Sequence, residues 1–182
     1  MNITFFTQGE YTGKVTRNNP NMRTDQAWIC ALDAKLMPIK YLINSNVSNQ
    51  NIDVGIVIIP KEQAREDLAK INFNLIESIK NVGCKKILIM QESTHWDWQD
   101  ESFESMAWYY NQLLLCDGIL CHNNIDLNYF KGITNKPTFI CPTLIIDDLV
   151  KDLYNTKKEK KENNVFVAGN WHTTYRGFDS WI

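Results

Sequence analysis

The chain has 182 residues, 44% hydrophobic and 12% aromatic, which is enough to bury a sizeable core and excludes wholesale disorder. Its 19 Lys and Arg are set against 21 Asp and Glu, for a net charge of −2. That balance argues against a partner held by phosphate neutralisation, because nucleic-acid binders usually carry a basic excess on one face.

From the N-terminus, the apolar run Ile3–Thr7 predicts a first strand, followed by Gln8-Gly9-Glu10-Tyr11-Thr12-Gly13 and a polar, Asn-rich loop. Thr24 can cap a helix that holds Trp28, Ile29 and Leu32 at helical spacing. Residues 39–43 predict a second strand, and residues 54–59 a third that stops at Pro60. A helix with Leu68, Ile71, Leu75, Ile76, Ile79 and Val82 on one side should follow, closed by Gly83. Residues 87–90 predict a fourth strand. The loop 91–100 then leads into a helix with Phe103, Met106, Ala107, Tyr110, Leu113 and Leu114 on one stripe. Short elements complete the pattern: a strand at 118–121, a helix at 125–130, a strand at 138–141 and a helix at 145–153.

Strands alternating with helices predict an α/β fold: a Rossmann-like, doubly wound, mainly parallel sheet with helices on both faces. Residues 1–156 are expected to form this domain. The run Lys157-Lys158-Glu159-Lys160-Lys161-Glu162-Asn163-Asn164 is a solvated, charged linker over 157–164. After it, Val165-Phe166-Val167-Ala168-Gly169 predicts another buried strand, so 165–182 is expected to start a second, truncated domain or to pack back on the first. The N-terminus has no basic segment ahead of a long apolar run, and no apolar stretch approaches a membrane span. A soluble, cytoplasmic protein with no transmembrane segment is the expectation. The five cysteines form no C-x-x-C pair and should be buried, reduced thiols, and no metal is expected.

In an open parallel sheet, ligands bind beyond the carboxyl ends of the strands, where the strand order reverses. With the order 3-2-1-4-5-6, that crevice would lie between the first and fourth strands. The loops there hold the most unusual polar chemistry of the chain. Gly9 and Gly13 let backbone N–H groups approach a ligand, with Gln8 and Thr12 beside them, although the spacing matches neither a dinucleotide nor a P-loop fingerprint. Gln91-Glu92-Ser93-Thr94-His95-Trp96-Asp97-Trp98-Gln99-Asp100 is denser. Trp96 can stack on a sugar ring, Glu92 can bind hydroxyls, and His95 or Asp97 can take a proton as general base. The same residues also fit a structural reading, in which the tryptophans pin the loop while Asp97 and Asp100 cap the next helix. His122 and Asn123 end the fifth strand and can line the same crevice, with Asn124 as a helix cap. Gly169, Asn170, His172 and Arg176 form a later strand-to-loop turn that would face a cleft if a second domain is present, where Arg176 can offset phosphate charge.

These segments together resemble the N-terminal half of glycosyltransferases with the GT-B fold. The resemblance is carried by Ile3 to Gly13, by Gln91-Glu92-Ser93, and by Asp117-Gly118-Ile119-Leu120-Cys121-His122-Asn123 followed by Asp126 and Tyr129-Phe130. Pro137-Thr138-Phe139-Ile140-Cys141-Pro142 continues it, and Val165 to Asn170 with Tyr175-Arg176-Gly177-Phe178-Asp179-Ser180 looks like the first strand and turn of their C-terminal domain. The resemblance implies two Rossmann-like domains around a cleft, with a nucleotide-sugar donor held by the C-terminal one and a hydroxyl acceptor by the N-terminal one. It implies no metal and no cofactor beyond the donor substrate. The spaced glutamate pair and diphosphate-binding elements of such a donor domain would lie beyond Ile182, so the chain alone is expected to be inactive. The competing expectations are a non-catalytic α/β domain that binds a small polar ligand, and an inactive truncated remnant.

Overall fold

Five consecutive buried residues, Ile-Thr-Phe-Phe-Thr, form strand β1 (Ile3–Thr7), the pattern of a strand covered on both faces. In a computed structural model the described residues are 1–9, 24–44, 48–60, 62–91, 101–142, 144, 151 and 155. The chain divides into two compact units, Met1–Leu149 and Val150–Ile182, and almost all described residues belong to the first. The expected linker at 157–164 and the segment 165–182 lie outside the described residues, as does the expected helix at 145–153 apart from Lys151.

The first unit is an α/β structure built on a six-stranded, all-parallel sheet. In chain order the elements are β1, α1 (Thr24–Ala31), β2 (Lys35–Pro38), α2 (Lys40–Asn44), β3 (Ile52–Ile58), α3 (Glu62–Lys70) and α4 (Leu75–Asn81). They continue with β4 (Cys84–Gln91), α5 (Phe103–Leu115), β5 (Gly118–Cys121), α6 (Asn124–Ile133) and β6 (Thr138–Ile140). The doubly wound, Rossmann-like fold class expected from the alternating pattern is therefore present, with helices on both faces.

The strand order is 2-1-3-4-5-6, which corrects the expected 3-2-1-4-5-6. The apolar β3 is buried along most of its length and occupies the sheet interior between β1 and β4. The short, half-exposed β2 carries Lys35 and Pro38 and lies at the edge, where a charge and a missing N–H are tolerated. Residues 39–43 are not the second strand. The Ile39 N–H makes a last bond to the Thr7 carbonyl at 2.8 Å, and the chain then turns into α2.

The order explains how the faces are covered. Parallel crossovers are right-handed, so reversing direction at β1 sends α1 to one face and the later helices to the other. On the first face Trp28, Ile29 and Leu32 of the α1 region pack with Phe5, Ile56, Ile58 and Met90. On the second, Leu68, Leu75, Ile76, Ile79, Trp108, Leu113 and Phe130 cover Phe6, Val57, Ile87, Ile89 and Ile119. Gly55 lets β1, β3 and β4 meet closely, since a Cβ there would lie 2.8 Å from the Cys84 sulfur.

Two helical expectations change. The single helix expected across 68–82 is two, α3 and α4, broken where Asn72 takes φ +49° and Asn74 caps α4 by accepting from the Glu77 N–H. Ile71, expected on the buried stripe, falls in the break and is exposed. Gly83 does close α4, at φ +87°. The buried stripe of α5 is Ser105, Trp108, Tyr109, Gln112 and Leu113, so Phe103 and Leu114 face outward and only Leu113 of the expected set is fully buried. The rotation brings in polar groups that find partners. Trp108 Nε1 donates to the Phe73 carbonyl at 2.6 Å, and Gln112 accepts from the Ile76 N–H at 3.1 Å. The α5 cap is Ser102 rather than Asp97 or Asp100, and the α6 cap is Asn123 rather than Asn124.

Candidate functional site

Strand order reverses between β1 and β3, so the crevice for a ligand opens past Thr7 and past Ile58. The β1 exit is a tight turn: the buried Thr7 hydroxyl donates to the Gly9 carbonyl at 2.7 Å. Gln8 is exposed there, and a Cβ at Gly9 would meet no atom of the described residues within 4 Å. On the other side of the reversal, Ile59 and Pro60 are buried and lead into α3.

The β4 exit is Gln91, buried, whose side-chain oxygen accepts a hydrogen bond from the Tyr109 hydroxyl. Burial raises the Tyr109 pKa well above the ordinary phenol value, so this hydroxyl acts as a donor throughout the physiological range. Beside it lies a buried ion pair: Arg65 of α3 donates to Glu101, which also accepts from the Ser105 hydroxyl at 2.9 Å. The Arg65 guanidinium sits 5.9 Å from the centre of the Tyr109 ring.

The β5 exit is Cys121 followed by His122. His122 Nδ1 lies 2.7 Å from the Cys141 carbonyl, an acceptor only, so Nδ1 carries the hydrogen and donates. Nε2 is buried without a hydrogen-bond partner among the described residues. Asn123 is engaged locally, with its oxygen accepting from the Asp126 N–H at 2.8 Å and its amide donating to the Asp126 carboxylate at 2.5 Å. Burial pushes the Cys121 thiol up to about 12 and the Cys141 thiol to about 11, which keeps both protonated and poor as nucleophiles. Four of the five cysteines are buried and all are free, whereas Cys30 is exposed.

The structure therefore brings Gln8, Gly9, His122 and Asn123 to the carboxyl edge of one sheet, but not side by side. With β3 between them, the exits of β1 and β4 are about 10 Å apart, and His122 stands about 14 Å from β1. A ligand touching all three exits must span about 14 Å. Thr12, Gly13, Glu92, His95, Trp96 and Asp97 lie outside the described residues, as do Gly169, Asn170, His172 and Arg176. Among the described residues no group of His, Cys, Asp and Glu could hold a metal ion. What the described edge offers is hydrogen-bonding capacity together with the backbone turn at Gly9.

Sequence reasoning missed Arg65, Glu101, Tyr109 and the role of Gln91. Arg65 stands in Glu-Gln-Ala-Arg-Glu-Asp, which has the composition of a solvated helix, and its partner is 36 residues away, so no local pattern marks it. A cavity of about 160 Å³ lined by Asn2, Thr4, Lys35, Met37, Gln50 and Ile52 lies at the opposite, amino end of the strands. It is smaller than the roughly 300–1,000 Å³ of most ligand pockets. No helix among the described residues is long and apolar enough to cross a membrane. Comparison of the chain with profiles of known protein families, with curated proteins and with solved structures gives no match.

Proposed function

We propose that this chain is the acceptor-side part of a GT-B-type glycosyltransferase, binding a hydroxyl-bearing acceptor at the carboxyl edge of its sheet while a nucleotide-sugar occupies the facing domain. The observation that carries the proposal is the placement of the polar, His- and Trp-bearing segments. In the sequence they follow β1, β4 and β5, whose carboxyl ends share one edge of the sheet, with the reversal between β1 and β3 rather than between the first and fourth strands as expected. In this reading the acceptor oxygen forms a bond to the anomeric carbon of the donor as the bond from that carbon to the diphosphate breaks. His95 or Asp97 receives the acceptor proton if the reaction inverts configuration. Backbone N–H groups and basic residues of the donor side would stabilise the departing diphosphate, with Arg176 able to offset part of its charge.

A second reading, a non-catalytic domain that binds a small polar ligand, is favoured by one observation. The described groups along the carboxyl edge, Gln8, the Gly9 backbone and His122, are hydrogen-bonding groups suited to binding. The experiment that separates the two is sugar transfer by the full native polypeptide, using a panel of nucleotide-sugars with simple glycoside acceptors. Transfer that falls at least about a hundredfold in both Asp97→Asn and His95→Ala, or in one of them, supports the enzyme. Acceptor binding without transfer from any donor supports the binding domain.

A further inference from the structure

We propose that the cavity at the amino end of β1 and β2 is a binding site for a short-chain monocarboxylate, apart from the carboxyl edge and from the proposed sugar transfer. Its volume is about 160 Å³. An apolar cavity of about 150 Å³ takes up benzene, so a molecule of about six non-hydrogen atoms matches this space. Thr4 of β1 stands directly opposite Lys35 of β2, and residues opposed in register project to the same face of the sheet. Met37, further along β2, shares that face, and Ile52 continues the apolar wall. Asn2 and Gln50 complete the lining.

The ligand chemistry follows from which donors are already used. The Asn2 amide donates to the Asn51 carbonyl at 3.1 Å, and the Gln50 amide to the Ser48 carbonyl at 3.1 Å. Thr4 differs: the residue is only 3% exposed, yet its hydroxyl makes no hydrogen bond among the described residues. A buried hydroxyl left unmatched costs free energy, which a ligand that pairs with it recovers. Lys35 also has no ion-pair partner among the described residues. By contrast, Lys85 and Lys86 of β4 pair with Asp53 at 2.7 Å and Asp117 at 3.5 Å. The two unused donors, an ammonium and a hydroxyl, therefore rise from neighbouring strands whose backbones run about 4.8 Å apart. A carboxylate has two oxygens and can accept from both. None of the residues lining the cavity is acidic, and Asp53, which accepts from the Asn2 N–H at 2.8 Å, is already paired with Lys85. One cation beside Met37 and Ile52 suits a single negative charge with an alkyl chain better than a phosphate.

The test is a two-dimensional amide NMR titration of the full chain with sodium butyrate at constant ionic strength. Butyramide serves as the neutral counterpart and sodium phosphate as the rival anion. The proposal predicts saturable shifts at Thr4, Lys35, Met37 and Ile52, with a dissociation constant on the order of 1–10 mM. Butyramide should bind about tenfold more weakly or not at all. Lys35→Gln removes the charge from an exposed edge residue and should weaken butyrate about tenfold, and Thr4→Val should weaken it about threefold. No saturable shift at these residues up to about 100 mM butyrate overturns the proposal. Equal binding of butyramide, tighter binding of phosphate, or butyrate affinity unchanged in either variant overturns it too. If Thr4→Val does not fold, Lys35→Gln and butyramide decide the matter by the same outcomes. Failure of sugar transfer in every assay would defeat the proposed function and leave this site standing.

Discussion

The two ends of the sheet treat polar groups in opposite ways. At the amino end the carboxylates are exposed and satisfied. The Asp53 carboxylate accepts from Lys85 Nζ at 2.7 Å and from the Asn2 N–H at 2.8 Å, while Asp117 accepts from the Ile87 N–H at 2.8 Å and lies 3.5 Å from Lys86. These contacts tie neighbouring strands into register at the surface. At the carboxyl end Gln8 is exposed, but several polar groups are drawn inward: Gln91 with Tyr109 and Arg65 with Glu101 are buried, and the half-buried His122 meets the Cys141 carbonyl. Two nitrogens there, Arg65 Nε and His122 Nε2, are buried with no hydrogen-bond partner among the described residues. Burying a polar group without a partner costs free energy, so evolution usually avoids it where nothing is gained. The difference separates an end built for register from an end built to hold groups in place, and the second is where parallel sheets bind ligands.

The largest expected effect comes from breaking the carboxyl end. Arg65→Met leaves the Glu101 carboxylate buried alone and should cost about 3–5 kcal/mol in urea unfolding, whereas removing both charges together should cost far less. A cost below about 1 kcal/mol for the single variant would show that water reaches the pair, and the contrast between the ends would weaken. Next is Gly83→Ala at the amino end. Its φ of +87° disfavours any side chain, and the added Cβ would come within 2.0 Å of Asn49 Oδ1. A loss of about 2 kcal/mol is expected, with the Asn49 side chain displaced.

A pH series sharpens the comparison further. Folded Cys121 and Cys141 hold their protons to about 12 and about 11, and Tyr109 is also raised, while the same groups in the unfolded chain ionise earlier. Where the unfolded state has lost protons that the folded state keeps, stability falls as pH rises. This contribution is fully present below the unfolded thiol pKa near 8.5 and is lost progressively as pH climbs toward the folded values. The urea midpoint should therefore decline from about pH 8.5 upward, and Cys121→Ala should flatten the decline. The smallest effect belongs to Asp53→Asn. Its hydrogen bond from Lys85 lowers the carboxyl pKa, so its contribution is present above the unfolded value and lost as pH falls through the folded one. On an exposed pair the urea midpoint at neutral pH should hardly move, and a large shift would contradict the reading of the amino end as a surface register device.

The fold class was legible because short continuous apolar runs alternate with segments of helical period, as expected of strands such as β1 and β3 that are covered on both faces. The strand order was not. Sequence marks which segments are buried but not which neighbour each will pair with, and the second strand was placed at 39–43 when Lys35–Pro38 forms the edge. The break at Asn72 was hidden because Ile71 completes an apolar stripe on paper, while a left-handed residue leaves no periodic trace. At the site, Gln8, Gly9 and His122 could be placed because each follows an apolar strand directly. Arg65 and Tyr109 could not, since their partners are brought near only by packing α3 against α5.

The central claim is that the carboxyl edge of the sheet is the binding face. The most direct test is a two-dimensional amide NMR titration with a panel of simple monosaccharide glycosides. Shifts clustered at Gln8, Gly9, Gln91 and His122 are the predicted result. Shifts confined to Asn2, Lys35 and Gln50 around the amino-end cavity, or no shifts at saturating concentrations, would contradict it.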